Sequence, residues 1–434
     1  MSTFTFDLHK KGYSLARKTL FQVFILLLGL TLAACGPAAA TSNTPIGSLW
    51  DVTVANGKVD WSAASSLAQE QHTGFELANK TAKFDEVIFS EGNRLDEVQA
   101  AVRAMVEGQT ETPKSDPVLG ILGATSNQAT SRAAALANFF NVPMLIPSAS
   151  GDNLLPVNNL WAFQLSPPNS AYANYILGTV MTKQILRSSS TSDLVTSVRV
   201  AILYEQNTYG ENAAVATATA VLKQELEITT YEKFKAEDPD PASLRVLVNK
   251  VLDGGAEVVF IISSDPLVAQ NMVFTFTSLV DLPSLPLLVG MAGGFTSQDF
   301  VNSAQSKNVF VLRQQFVTSD CPAEINSLSA AQNYAALKLM EYAVQEASKV
   351  KVDPASLLSV TPKVDVMATS REAVRDALKA ASLNLPCLGQ MAFDNSGQNK
   401  FPQFEIVKTS NGETRVITNA EFISAVKQKI GLDG

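Results

Sequence analysis

Val118-Leu119-Gly120-Ile121-Leu122 runs without a break into Gly123-Ala124-Thr125-Ser126-Asn127-Gln128-Ala129-Thr130. The first five residues form a short apolar run, which is how a strand buried on both faces reads. The small and polar residues after it form a turn, and Asn127 is a good N-cap for the amphipathic stretch from Asn127 to Phe140. A buried strand feeding a helix through a tight polar turn is the repeating unit of a parallel α/β sheet.

The same unit recurs on both sides. Apolar runs stand at Ile46–Trp50, Glu86–Phe89, Pro143–Ile146, Arg199–Tyr204, Glu257–Ile262, Pro286–Val289 and Val309–Leu312. Amphipathic stretches lie between them at Ala64–Lys80, Arg94–Glu107, Ala171–Arg187, Glu211–Glu225 and Pro241–Asp253. Leu95, Val98, Ala101, Val102 and Met105 keep the three-and-four spacing of one buried helix face. Two parallel sheets with helices on both sides fit this alternation and length. Pro167-Pro168 breaks the pattern and sets a first lobe boundary. Farther on come long helical stretches at Ser327–Lys349 and Ser370–Ala381. Ile406–Lys408 and Thr414–Ile417, with Asn411-Gly412 between, then read as a β-hairpin.

The N-terminus is a targeting segment. Lys10, Lys11, Arg17 and Lys18 precede an apolar run from Leu20 to Leu32, too short to span a bilayer well. Leu32-Ala33-Ala34-Cys35 resembles a lipobox, so residues 1–34 are expected to be a lipoprotein signal peptide and Cys35 the lipidated residue. Residues 35–45 are small and polar, as a tether should be. The full chain carries a net charge of −8, and losing a segment richer in bases than acids makes the mature chain more acidic. Nothing resembles a basic patch, so no nucleic-acid partner is expected. Two cysteines remain, Cys321 and Cys387. Outside the cytoplasm an even count favours a disulfide, closing a loop of about 65 residues and worth roughly 4 kcal/mol; two separate buried thiols are the alternative.

Several segments together resemble the type I periplasmic binding proteins, in particular the leucine/isoleucine/valine-binding group of ABC importer receptors. They are Gly120–Thr130, Val142–Ser150, Val200–Tyr204 with Tyr209-Gly210-Glu211, and Arg371–Leu378 followed by Gly389 and Phe393-Asp394-Asn395-Ser396-Gly397. The resemblance implies an α/β fold of two Rossmann-like lobes with parallel sheets, joined by three hinge crossovers. It places 46–166 and 319–388 in lobe 1, and 167–318 and 389–434 in lobe 2. Cys321 and Cys387 would then sit beside the second and third crossovers, which adds to the case for their pairing.

In such sheets ligands sit outside the carboxyl ends of the strands, against helix N-termini. Thr125, Ser126 and Asn127 occupy such a place. Ala149 and Ser150 match positions that grip a ligand carboxylate in the family, and Tyr209 matches a tyrosine at the mouth of the second lobe. Asp265 stands where an ammonium could be paired, or merely starts the helix after Pro266. Trp61 either stacks on a ligand or packs under a loop. Ala292 falls where amino-acid binders carry an acid, so the usual counter-charge for an α-ammonium is missing. The segment Asp51–Ser66 is also atypical.

Catalysis is not nominated. Of two histidines, His9 lies in the segment expected to be removed and His72 stands alone on a helix, where a surface or helix-face role is expected. There is no phosphate loop, zinc-type cluster or nucleophile elbow, so neither metal nor cofactor is expected. The resemblance implies a monomeric receptor, lipid-anchored in the cell envelope and facing the periplasm or exterior. It would bind a small polar ligand of amino-acid, amide or carboxylate type and pass it to ABC permease subunits. The alternative is a non-transport lipoprotein of the same fold, acting as a sensor or as an interaction scaffold such as a cell-wall synthase activator.

Overall fold

The computed structural model describes residues 44–55, 58–92, 94–108, 116–182, 198–235, 241–281, 283–303, 308–349, 362–410 and 412–431. The expected signal segment, Cys35 and the tether up to 43 lie outside the described residues.

The chain opens with β1 (Pro45–Trp50), a small hairpin of β2 (Thr53–Ala55) and β3 (Lys58–Asp60), and α1 (Ser66–Ala82). It continues through β4 (Asp85–Ser90), α2 (Leu95–Glu107), β5 (Gly120–Leu122), α3 (Asn127–Phe140), β6 (Met144–Ile146) and β7 (Ala162–Gln164). These strands form one sheet in the order β4-β1-β5-β6-β7, every pair parallel.

A second series follows: α4 (Asn169–Tyr175), β8 (Arg199–Glu205), α5 (Thr208–Lys223), β9 (Glu227–Phe234), α6 (Pro241–Asp253) and β10 (Val258–Ile262). After it come α7 (Pro266–Leu279), β11 (Leu287–Met291), α8 (Gln298–Val301) and β12 (Val309–Gln314). The chain then runs through α9 (Leu328–Lys349), α10 (Pro362–Ala380), β13 (Ser382–Leu385) and β14 (Gly389–Ala392), and ends with β15 (Phe404–Ser410), β16 (Glu413–Ile417) and α11 (Asn419–Lys429). The second sheet has the order β16-β15-β12-β11-β10-β8-β9. It is parallel except at β15 and β16, the expected hairpin.

Continuous apolar runs are needed because both faces of each sheet are covered. In the second sheet Val200, Ile202, Val258 and Phe260 pack to one side with Tyr172, Ala213 and Phe422. Their neighbours Ala201, Leu203, Val259 and Ile261 pack to the other with Val248, Val268 and Phe276. Successive strand residues point to opposite faces, so such runs must be largely apolar, with the small Ser48 of β1 buried among them. The first sheet is built alike: Ile46, Leu122 and Leu145 meet α1 and α9, while Leu49, Ile121 and Met144 meet α2 and α3. The α1–α9 contact is close enough that a Cβ at Gly74 would lie 2.0 Å from the Ala330 carbonyl oxygen.

Some elements depart from expectation. The helix expected over 171–187 starts at Asn169 and passes into a π-helical turn at Ile176–Val180; residues beyond 182 in it lie outside the described ones. Strand β9 has an alternating, partly exposed face, so it lacks the apolar run that marks a buried strand.

Three segments run side by side between the sheets. The Gln164 amide donates to the Gly397 carbonyl at 2.8 Å, and the Asn399 amide donates back to Gln164 at 3.1 Å. The Gln315 amide donates to the Gln403 carbonyl at 2.8 Å. Beside them Cys321 and Cys387 are joined in a disulfide, with Cα atoms 4.9 Å apart, which resolves the choice the cysteine count left open. The Val317 amide donates to the Cys387 carbonyl at 2.8 Å, tying two of the segments together next to that bridge.

Candidate ligand-binding cleft

The loops after β1, β4, β5 and β6 and those after β8, β10 and β11 line one cleft of about 530 Å³. That volume is in the range of small-molecule sites, and the position is the one that parallel α/β sheets favour for ligands.

On the first wall, buried Glu91 follows β4 and gathers the turn after β5. Its carboxylate accepts the Thr125 amide at 2.5 Å and the Ser126 amide at 3.1 Å. Thr125 Oγ1 donates to Gln71 Oε1 at 2.9 Å and accepts the Asp51 amide at 3.2 Å. Ser126 caps α3, its Oγ accepting the Ala129 amide at 3.2 Å. The cap is therefore Ser126, whose extended backbone suits that position, and not Asn127. Asn127 opens the helix, and its Oδ1 accepts the Ser150 amide at 3.1 Å. The Ser150 hydroxyl donates to Asn169 Oδ1 at 2.9 Å. Burial raises the Glu91 carboxyl to about 7, partly offset by the Ser126 and Thr125 donors and reinforced by the negative charge of Asp51.

On the second wall, buried Glu205 ends β8 and gathers the turn after β10. One oxygen accepts Asn207 Nδ2 at 2.6 Å. The other lies 2.6 Å from the Ser264 amide, 2.8 Å from its hydroxyl and 3.1 Å from the Ser263 hydroxyl. Asn207 caps α5 by accepting the Gly210 amide at 2.8 Å. Gly210 is required there, because a Cβ would lie 2.0 Å from the Glu205 carbonyl oxygen. Tyr209 donates its hydroxyl proton to the Met291 carbonyl at 2.5 Å. Burial pushes that phenol far up, and the nearby Tyr172 and Glu205 add to it. Asp265 caps α7, its Oδ1 accepting the Leu267 and Val268 amides at 2.7 and 3.1 Å.

Thr125, Ser126, Asn127, Ala149, Ser150, Tyr209 and Asp265 thus all line the cleft. Ala292 lines it as well, at a backbone φ of 38°, and brings no charge. Trp61 is not among the lining residues. Its ring stacks on His72 at 3.8 Å between centroids, because the β2–β3 hairpin lays it on α1. His72 sits between Trp61 and Trp50 with Nε2 3.4 Å from Glu86, so it belongs to that aromatic cluster. Glu70 of α1 joins the two lobes by accepting the Ser297 hydroxyl and the Gln298 amide at 2.9 and 3.0 Å.

Among the lining residues the sequence did not nominate are Asp51, Glu91, Glu205, Asn207, Ser264 and Asp299. Only their place was a hint: Glu91 follows the partly buried β4 and Glu205 ends the buried β8, at strand ends where ligands gather in open α/β sheets, but nothing in the sequence tells a buried acid there from a solvated one.

Two parallel α/β sheets whose carboxyl ends surround one polar cleft define a two-lobed binding protein. The chain belongs to the family described as the receptor family ligand binding region, whose profile matches residues 61–412. Its fold is that of the type I periplasmic binding proteins. Among similar solved structures is the branched-chain amino acid transporter substrate-binding protein LivJ from Streptococcus pneumoniae in complex with isoleucine. It shares 16% identity at a TM-score of 0.62, over 86% of this chain and 99% of that one. An ABC transporter substrate-binding protein from Desulfitobacterium hafniense in complex with Leu shares 14% at 0.61, over 86% and 100%. A solute-binding protein of an ABC transporter from R. palustris, in complex with benzoate, shares 11% at 0.64, over 86% and 95%. The comparison with curated proteins found no match.

Proposed function

We propose that this chain is a solute receptor outside the cytoplasm, held to a membrane by lipid at Cys35. It captures a small polar ligand between its lobes and delivers it to ABC permease subunits. The observation that carries the reading is the open cleft of about 530 Å³, into which both sheets turn polar residues at their strand ends. The residues for ligand contact are Thr125, Ser126, Asn127, Ala149, Ser150, Tyr209 and Asp265. The lobes divide near 166, 318 and 388, and the three adjacent segments there act as the hinge for closure. A scaffold that needed no ligand would be expected to fill or collapse this space.

The test is a thermal-shift screen of the chain from Thr44 against amino acids, amines, amides, carboxylates and nucleosides. A ligand at 100 times its dissociation constant adds about 2.7 kcal/mol, a clear rise in melting temperature. The hit should vanish in Gln128→Trp, which sets a bulky ring at an exposed position of the cleft lining. A hit indifferent to that change, or none in the whole library, contradicts the reading.

A further inference from the structure

The cleft carries an unbalanced charge. Asp51, Glu91, Glu205, Asp265 and Asp299 all line it, and no lysine, arginine or histidine does among the described residues. Two of these carboxyls are deeply buried, Glu91 at 3% exposure and Glu205 at 4%, one on each wall. Neither has a basic side chain within ion-pair distance among the described residues. Their stabilisation comes from amides, hydroxyls and one side-chain amide alone.

Several of the groups that would seat an anion are already in use. The Thr125 and Ser126 amides, at the start of α3, point at the Glu91 carboxylate. The Ser150 amide and hydroxyl go to Asn127 and Asn169. On the other wall the Ser264 amide goes to Glu205, and the Tyr209 hydroxyl spends its proton on Met291, leaving only an acceptor. A ligand carboxylate entering here would meet the protein's own carboxylates where a receptor for anions offers free N–H groups.

We propose that the cleft selects a cationic ligand, an ammonium or guanidinium compound without a free carboxylate. This rests on the solute-receptor reading and names its substrate class. Excess negative charge enclosed by low-dielectric walls attracts cations, and an unpaired buried charge is costly until an opposite one arrives. A second observation marks the space as a ligand site: Asn127, 6% exposed, lines the cleft, and its Nδ2 has no hydrogen-bond partner. One neutral donor does not balance a carboxylate against five acids.

Matched pairs that differ by a single carboxylate test this directly. Calorimetric titration of the full chain in detergent would compare 1,4-diaminobutane with ornithine and 4-aminobutylguanidine with arginine, with leucine and benzoate alongside. The expected result is that at least one decarboxylated member binds about tenfold or more tighter than its partner. That preference should shrink about tenfold in Glu205→Gln or, where that variant folds poorly, in Asp51→Asn at an exposed position. If ornithine, arginine, leucine or benzoate binds as tightly as the amines, the charge selection is wrong while the cleft remains a receptor site. If no compound in the panel binds, the charge selection is overturned, and the solute-receptor reading is decided separately by the wider thermal-shift screen.

Discussion

The two walls of the cleft use the same device with different parts. On each, a buried glutamate at the end of one strand collects the turn that follows another strand of its sheet. Glu91 does this with two backbone amides, and Asp51 lies close enough to raise its carboxyl further. Glu205 does it with one amide, two serine hydroxyls and the Asn207 side chain, which also caps the next helix. The second wall is thus knit by more bonds and shares them with a helix start. The first rests on fewer bonds and on a carboxyl that titrates near neutral pH. The same fold position is thus secured by different donors on the two walls.

The strongest perturbation of this contrast is Gly210→Ala. Its Cβ would lie 2.0 Å from the Glu205 carbonyl oxygen, so backbone must move, at a cost of about 3 kcal/mol. The denaturant midpoint should fall at unchanged slope. Next comes Glu205→Ala, which leaves the Ser264 amide and Asn207 Nδ2 without this acceptor and should cost about 2 kcal/mol. Glu91→Ala frees only the Thr125 and Ser126 amides beside an open cleft and should cost about 1 kcal/mol. Equal losses from the two alanine changes, read by urea melts, would dissolve the distinction between the walls.

Glu91→Gln is the mildest change and the most specific. The folded chain holds the Glu91 proton to about 7, above its ordinary value of 4.5. The stability this group contributes is therefore fully present below 4.5 and is lost as pH rises through about 7. Melting temperatures between those limits should decline with pH in the parent chain, and less steeply in Glu91→Gln. An unchanged slope in the variant would assign the effect to another group.

Much of the fold was legible because it rests on burial. Runs such as Val258–Ile262 must be apolar throughout when both faces of a strand are covered, and the sequence shows that directly. Strand β9, at the edge with alternating exposure, shows no such run, and β7 is only three residues long. The candidate cleft was legible at Thr125–Asn127, where a turn joins strand to helix, and at Tyr209 through the family resemblance. It was not legible at Glu91 and Glu205, since an acid after a strand reads the same whether it is solvated or buried. Trp61 was left as either a ligand platform or a residue packed under a loop, and the hairpin carries it to His72, away from the cleft lining. Asp265 shows how one residue serves twice, capping α7 with one oxygen while its side chain lines the cleft.

A receptor of the proposed kind closes both walls on one ligand. Hydrogen exchange with and without the compound that gives the largest thermal shift tests it most directly. Added protection is expected at Thr125–Gln128 and at Ser264–Leu267 together, with the outer helices α2 and α6 unchanged. Protection confined to one wall, or appearing on those outer helices instead, would contradict it.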